Sequence, residues 1–163
     1  MCSSDLEDII LTTRNGLKRI KADYNILVGE KIPANSKAIG AAAALGDLSE
    51  NSEWESAMEE QRNLTTRATD MDREIRSARL IEDQDIPVDI VAPGNRVTLT
   101  DEASGQKIVY TLLGPWDLTD DPSVINYRAP IAAGILGKKT GETGELPSPQ
   151  GPRRVRIESI ERS

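Results

Sequence analysis

Histidine and phenylalanine are absent from this 163-residue chain, and cysteine occurs once, as Cys2. Without histidine there is no imidazole-ligated zinc and no Ser-His-Asp or Cys-His nucleophile. A single cysteine excludes an internal disulfide framework and a thiolate metal cluster. Any metal must be held by oxygen ligands, which favours magnesium, calcium or manganese. Aromatic residues make up 3% of the chain, too few to line an aromatic pocket. No apolar run is long enough to span a membrane. The opening residues carry Asp5, Glu7 and Asp8 but no Lys or Arg through Leu11, unlike a secretory signal. The expectation is a cytoplasmic protein without membrane contact. Net charge is −7 with a pI near 4.7, which argues against a nucleic-acid clamp and its basic face.

Positive charge is missing from one interval in particular. No Lys or Arg lies between Lys37 and Arg62, where Asp47, Glu50, Glu53, Glu55, Glu59 and Glu60 all fall. At its centre is Gly46-Asp47-Leu48-Ser49-Glu50-Asn51-Ser52-Glu53-Trp54, between two segments with helical patterning. This stretch reads as the tip of an antiparallel helical hairpin. The spacing of Asp47 and Glu50 would place both on one side of a first helical turn. Asp47-x-x-Glu50 also matches a helix capping box, and acids in a first turn complement the helix dipole. A charge-bearing tip and a simple cap both fit these residues.

The first helical segment runs from about Thr13 to Leu45. Leu17, Ile20, Tyr24 and Leu27 follow the 3-4-3 spacing of a coiled-coil seam. Gly29 and Pro33 interrupt it, and a kink or short break is expected there. The seam resumes through Ala38, Ile39, Ala42 and Leu45, and Gly46 ends the helix. The second segment runs from about Ser49 to Ile81, with Ala57, Gln61, Leu64, Ala68, Met71, Ile75 and Ala78 on its seam. Joined by a tight turn, two such arms form a hairpin, each roughly 45 Å long at about 1.5 Å per residue. Periodicity alone fits a dimerisation coiled coil equally well.

Composition changes at Glu82-Asp83-Gln84-Asp85-Ile86-Pro87. Seventeen acids and eleven bases precede Ile86, against ten acids and nine bases after it, so the negative charge sits on the helical half. The expected division is a hairpin over 1–82, a linker over 83–93 and a small α+β domain over 94–163. In that domain Arg96–Thr100, Ile108–Leu113 and Val155–Glu158 read as strands. Pro130 to Gly137 reads as one short helix, with Pro130 near its first position.

The tip stretch closely resembles the tip signature of the Gre transcript-cleavage factors of bacterial RNA polymerase, which reads much like G-D-L-x-E-N-A-E-Y. Further matches are Leu11-Thr12, Gly16-Leu17, Ile32-Pro33 and Glu59-Glu60-Gln61 in the first half. Gly114-Pro115-Trp116-Asp117, Ala129-Pro130-Ile131-Ala132 and Leu136-Gly137-Lys138 continue the resemblance in the second. Together they cover roughly residues 11 to 160.

This resemblance implies an N-terminal antiparallel coiled-coil hairpin followed by an FKBP-like α+β domain. It implies a monomeric accessory factor, not itself an enzyme, that binds bacterial RNA polymerase and reaches through its secondary channel to the 3′ end of backtracked RNA. There Asp47 and Glu50 would help hold a magnesium ion shared with the polymerase, and the polymerase's own nuclease would cleave the transcript. Trp116, Pro130 and Ile131 are the expected docking residues. Association with DNA would be indirect, and no sequence-specific nucleic-acid binding of its own is expected. The chain departs from the family pattern near the tip. Ala43 and Met58 stand where a basic residue is common, and Trp54 replaces a tyrosine. The missing bases leave open a channel-occupying regulator that binds polymerase without promoting cleavage.

Overall fold

A computed structural model describes residues 9–46 and 51–163 of the chain. It has the expected α+β class: two long helical arms, then a curved sheet. The described residues group into two compact units, one comprising residues 9–17 and 78–163, the other Lys18–Ser77.

In the helical unit, α1 (Arg14–Ile26) runs into a π-helical turn at Leu27–Lys31 and continues as α2 (Ile32–Ala43). The returning arm is α3 (Ser52–Arg76). The arms are antiparallel: Asn51 bonds Ala42, while Asn35 donates to the Ala57 carbonyl at 2.9 Å and to Gln61 Oε1 at 2.8 Å. Gln61, a polar residue on the seam, is thereby satisfied by a partner from the opposite arm. Leu27 and Met71 are buried, each contributing about 1.5–3 kcal/mol of apolar burial. The surface of α3 carries Glu59–Arg62, Asp70–Arg73 and Asp72–Arg76 ion pairs, all well exposed and of small energetic weight.

The first arm corrects the sequence reading of its own seam. Shielded positions there are Leu17, Ile20, Tyr24, Leu27, Ile32, Asn35, Ile39 and Ala42, and every residue between them is exposed. The spacing is 3-4-3, then five residues, then 3-4-3. Ala38 and Leu45, expected on the seam, face solvent, with Leu45 69% exposed. The extra residue is absorbed in the π turn, where the Ile32 amide bonds the Leu27 carbonyl five residues back. Widening one turn keeps both halves of the arm facing α3. Pro33 favours the same place, since it lacks a donor and its ring presses on the carbonyl four residues earlier. The expected interruption at Gly29 and Pro33 is thus a one-residue skip within a continuous arm.

The second arm ends earlier than its pattern suggests. Ala78, expected as a seam position, begins strand β2 (Ala78–Leu80), which pairs in parallel with β1 (Ile10–Thr12). Neither three-residue strand has enough length for alternation to reveal it.

The larger sheet of the other unit has the order β5-β4-β3-β7-β6. Its strands are β3 (Asn95–Asp101), β4 (Lys107–Leu113), β5 (Val124–Asn126), β6 (Thr143–Leu146) and β7 (Arg153–Arg162). Pairing is antiparallel except between β4 and β5, and β3 carries a bulge against β7 at Thr98/Leu99. The three strands read from sequence are β3, β4 and β7. One core forms from Val97, Leu99, Leu112, Val155 and Ile157 on the strands, with Val91, Ala132 and Ile135 beside them. Val91, within the expected linker, is therefore a core residue. The short helix α4 covers only Pro130–Ala133, and turns carry the chain on to Gly137, whose φ of +80° suits a residue without Cβ.

Asp101 is nearly fully buried and accepts from Arg153 Nε at 2.8 Å, from a second Arg153 guanidinium nitrogen and from the Ala103 amide at 2.9 Å. The Arg153 hydrogen bonds, then the Ala103 amide, hold its carboxyl below the ordinary value of 3.8. A depressed folded-state value stabilises the fold above that pH and ceases to do so as pH falls through the folded value. Asp101→Asn should therefore lower the melting temperature at pH 7, and the gap to wild type should close in acid below pH 3.8. Melting curves at both pH values check this.

The two causes of the π turn also separate experimentally. Pro33→Ala alone should leave the turn in place, because the skip remains. Deleting Gly29 together with Pro33→Ala should give a regular helix through both halves of the arm. That variant should melt at or above wild type, since a helix-interior glycine costs about 1 kcal/mol. Crystal structures and melting of both variants test the assignment; a regular helix in Pro33→Ala would make the proline the cause.

Candidate functional site

The hairpin end is built from the ends of its two arms. Helix α2 stops at Ala43, Leu45 donates to the Ala42 carbonyl at 3.1 Å, and Gly46 follows with φ +114° and open space around it. Gly46 thus lies just beyond the helix rather than capping it directly. On the other side Asn51 is the N-cap of α3, its Oδ1 accepting from the Trp54 amide at 3.1 Å. Asp47 and Glu50, the two acids expected at the tip, lie outside the described residues. The described cap has a bearing on them nonetheless. The helix begins at Ser52 with Asn51 as its cap, so the capping role considered for Asp47 belongs to Asn51. Glu53 and Glu55 occupy the first turn of α3, where acids complement the dipole. Ala43 and Met58, which replace common basic residues, are both half-buried. The nearest base along α3, Arg62, is engaged with Glu59 at 2.6 Å. Among the described residues, no group of three or more acidic or sulfur side chains is placed to hold a metal ion.

The residues expected to dock are dispersed in character. Pro130 is exposed at the start of α4, Ile131 is half-buried against the sheet core, and Trp116 is half-buried. Beside Trp116 lies a constellation that residue patterns alone did not single out. Asp117 is buried, and its carboxylate accepts from Thr12 Oγ1 at 3.2 Å, Thr13 Oγ1 at 2.5 Å, the Thr13 amide at 3.1 Å and the Gly114 amide at 2.8 Å. Thr13 also caps α1, its Oγ1 accepting from the Gly16 amide at 3.1 Å, while Glu82 accepts from the Arg14 amide at 2.9 Å. Two carboxylates thus meet the positive end of α1. Two glycines are needed for this approach. A Cβ on Gly16 would lie 2.0 Å from Asp117 Oδ1, and one on Gly114 would lie 2.1 Å from the Leu11 carbonyl oxygen. The Tyr127 hydroxyl adds a bond by accepting from the Leu11 amide at 3.0 Å. Leu11-Thr12, Gly16 and Gly114-x-x-Asp117 are motif fragments far apart in sequence that form one clasp. Their signal in the sequence was the resemblance itself, with no role attached.

Family models match both halves of the chain. The model described as "Transcription elongation factor, N-terminal" matches residues 10–80, and "Transcription elongation factor, GreA/GreB, C-term" matches residues 86–162. The chain belongs to the GreA/GreB family of transcription elongation factors. Among curated relatives, transcription elongation factor GreA of Syntrophomonas wolfei is 31% identical over 156 residues, covering 96% of this chain and 98% of the relative. GreA of Bacillus licheniformis is 35% identical over 154 residues, with 94% and 98% covered. Some relatives are far longer: the chain spans 15% of the length of GreA of Borreliella burgdorferi, at 35% identity and 82% coverage of this chain. Among solved structures, GreA factor homolog 1 of Thermus thermophilus aligns with a TM-score of 0.43 and 22% identity over 94% of this chain and 99% of its own. A GreA/GreB factor from Nitrosomonas europaea gives 0.42 and 20% over 93% and 97%.

The clasp of this GreA/GreB-type factor makes a quantitative prediction. Gly16→Ala should destabilise the protein by about 1–3 kcal/mol through overpacking. Asp117→Ala should cost about 1–3 kcal/mol by leaving buried donors unpaired. Because the clash is with Asp117 itself, the double variant should lose less than the two singles together, by about 0.5 kcal/mol or more. Urea titration of the four proteins gives the coupling; strict additivity would show the two sites to be independent.

Proposed function

We propose that this factor binds bacterial RNA polymerase, presents its hairpin end in the secondary channel and stimulates the polymerase to cleave backtracked RNA. The observation that carries the proposal is the end of the hairpin within a GreA/GreB family chain. Gly46 and Asn51 bracket Asp47–Glu50 where the two arms meet, and the cap of α3 is supplied by Asn51. Asp47 and Glu50 lie outside the described residues, and their role in this reading comes from the likeness of the tip stretch to the family signature. Carboxylates are the donor type magnesium accepts, commonly one or two from protein with phosphate oxygens and water completing the shell. In this reading Asp47 and Glu50 hold a magnesium ion only once polymerase and RNA supply the remaining ligands. When bound, the ion stabilises charge on the oxygens of phosphodiester hydrolysis. The chain's own work is to carry two carboxylates to that place and keep them apart from competing cations. The sheet unit is the docking part in this reading, with Pro130 exposed and Trp116 and Ile131 half-buried.

A second reading has its own observation. Ala43 and Met58 leave no positive charge beside the acids, so nothing on the hairpin end offsets repulsion from an RNA phosphate. A factor of this kind would occupy the channel and regulate without promoting cleavage.

Asp47→Ala and Glu50→Ala distinguish the two. Each should reduce stimulated cleavage of stalled, backtracked complexes by about 100-fold, the scale of losing one preorganised charge-stabilising group. Neither should weaken polymerase binding in competition or lower the melting temperature, since neither residue caps α3. Wild type that binds without cleaving would establish the second reading.

A further inference from the structure

The two halves of the hairpin are held by different chemistry. The inner half, residues 18–31 against 64–77, buries Ile20, Leu27 and Met71 and half-buries Tyr24, Leu64 and Ile75. The outer half, residues 32–43 against 52–63, buries no side chain larger than that of Ala42. Two positions of its seam are polar, and the Asn35 amide donates to Gln61 Oε1 at 2.8 Å and to the Ala57 carbonyl at 2.9 Å. Such bonds replace bonds to water and contribute little net, whereas apolar burial is the larger gain per residue. Helix α2 has twelve residues with Gly40 inside it, too short to persist without packing. The π turn at Leu27–Lys31 lies between the halves, and Pro33 follows with no amide to donate. A hollow of about 390 Å³ beside this turn, lined in part by Leu27, Lys31, Leu64 and Met71, forfeits contacts that close packing would make.

We infer that the outer half opens and closes as a unit of its own while the inner half stays folded, with the π turn as the boundary. A region opens by itself where few apolar contacts hold it and its backbone bonds face water. Helix cooperativity would otherwise spread an opening along the whole arm. The π turn and the missing Pro33 donor interrupt the ladder of bonds at one place. The two outer segments open together, because Asn35 and Gln61 each take their partners from the opposite arm. The inner half opens only once the outer half has. This opening is a property of the free stalk, independent of any partner.

Native-state amide exchange of the full chain, followed by NMR in the EX2 regime, tests this. Ile39 and Ala42 in α2 and Gln61 in α3 should share one level of protection, roughly 100-fold or more below that of Tyr24 and Met71. Substitutions then separate the units, since losing a contact lowers protection only for amides whose opening breaks that contact. Met71→Ala, in the inner half, should lower the protection of Tyr24 by roughly thirtyfold or more and leave Ile39 and Gln61 at wild-type values. Asn35→Ala, in the outer half, should lower Ile39, Gln61 and Tyr24 by the same factor, roughly tenfold. Where Met71→Ala does not fold, Ile20→Val should give the inner-half pattern on a smaller scale. Equal protection in the two halves would overturn the proposal. So would an inner-half substitution that lowers Ile39 and Gln61 as much as Tyr24. Unequal protection of Ile39 and Gln61 would also overturn it, since each arm would then fray alone.

Discussion

The carboxylate of Asp117 governs how this chain is assembled. It takes donors from Thr12, Thr13 and Gly114, joining residues about a hundred positions apart. A buried carboxylate without partners would cost several kcal/mol, so its four donors are a requirement as much as a gain. Satisfying them dictates the surroundings. Gly16 and Gly114 must lack side chains, Thr13 must both cap α1 and turn toward Asp117, and β1 must lie where the Tyr127 hydroxyl can meet Leu11. Several short-range choices are thus fixed by one long-range contact.

That dependence explains which parts of the fold were legible in the sequence. The arms and the strands β3, β4 and β7 announce themselves by period, because each buries one stripe or face over many residues. Strands β1 and β2 span three residues each, too short for a local pattern to reveal their pairing. The seam of the first arm was legible as far as Leu27. Beyond it, Ile39 and Ala42 were read correctly, but Ala38 and Leu45 were added and Ile32 and Asn35 missed, because the π turn shifts the register by one residue. A polar residue at Asn35 concealed the shift, since its burial depends on bonds to Ala57 and Gln61 that only the folded pair reveals.

The acids of the proposed site are a reading of the sequence, since both lie outside the described residues. Asp47 and Glu50 stood out through a motif and through the missing cations around them. A capping box was a fair competing account, and the cap that α3 shows is supplied by Asn51. Asn51 itself lay within the quoted motif without a task. Amide side chains with two kinds of hydrogen-bonding group recur at such junctions here. Asn95, fully buried, accepts from the Ala92 amide and donates to the Pro87 carbonyl at the entry to β3. Neither role leaves a trace in hydropathy, because asparagine reads as a loop residue in both places.

The parallel pairing of β1 with β2 makes the helical unit an insertion in chain topology. Both of its ends are tied at neighbouring positions of a unit that is discontinuous in sequence. Roughly 65 residues leave and return between Thr12 and Ala78, so an unfolded stalk would be a long loop held at its base, with a closure entropy that grows only as the logarithm of its length. Changing the length of the arms therefore perturbs the base weakly. Evolution, or an engineer, can lengthen or shorten the stalk by whole heptads while the clasp at its root stays the same.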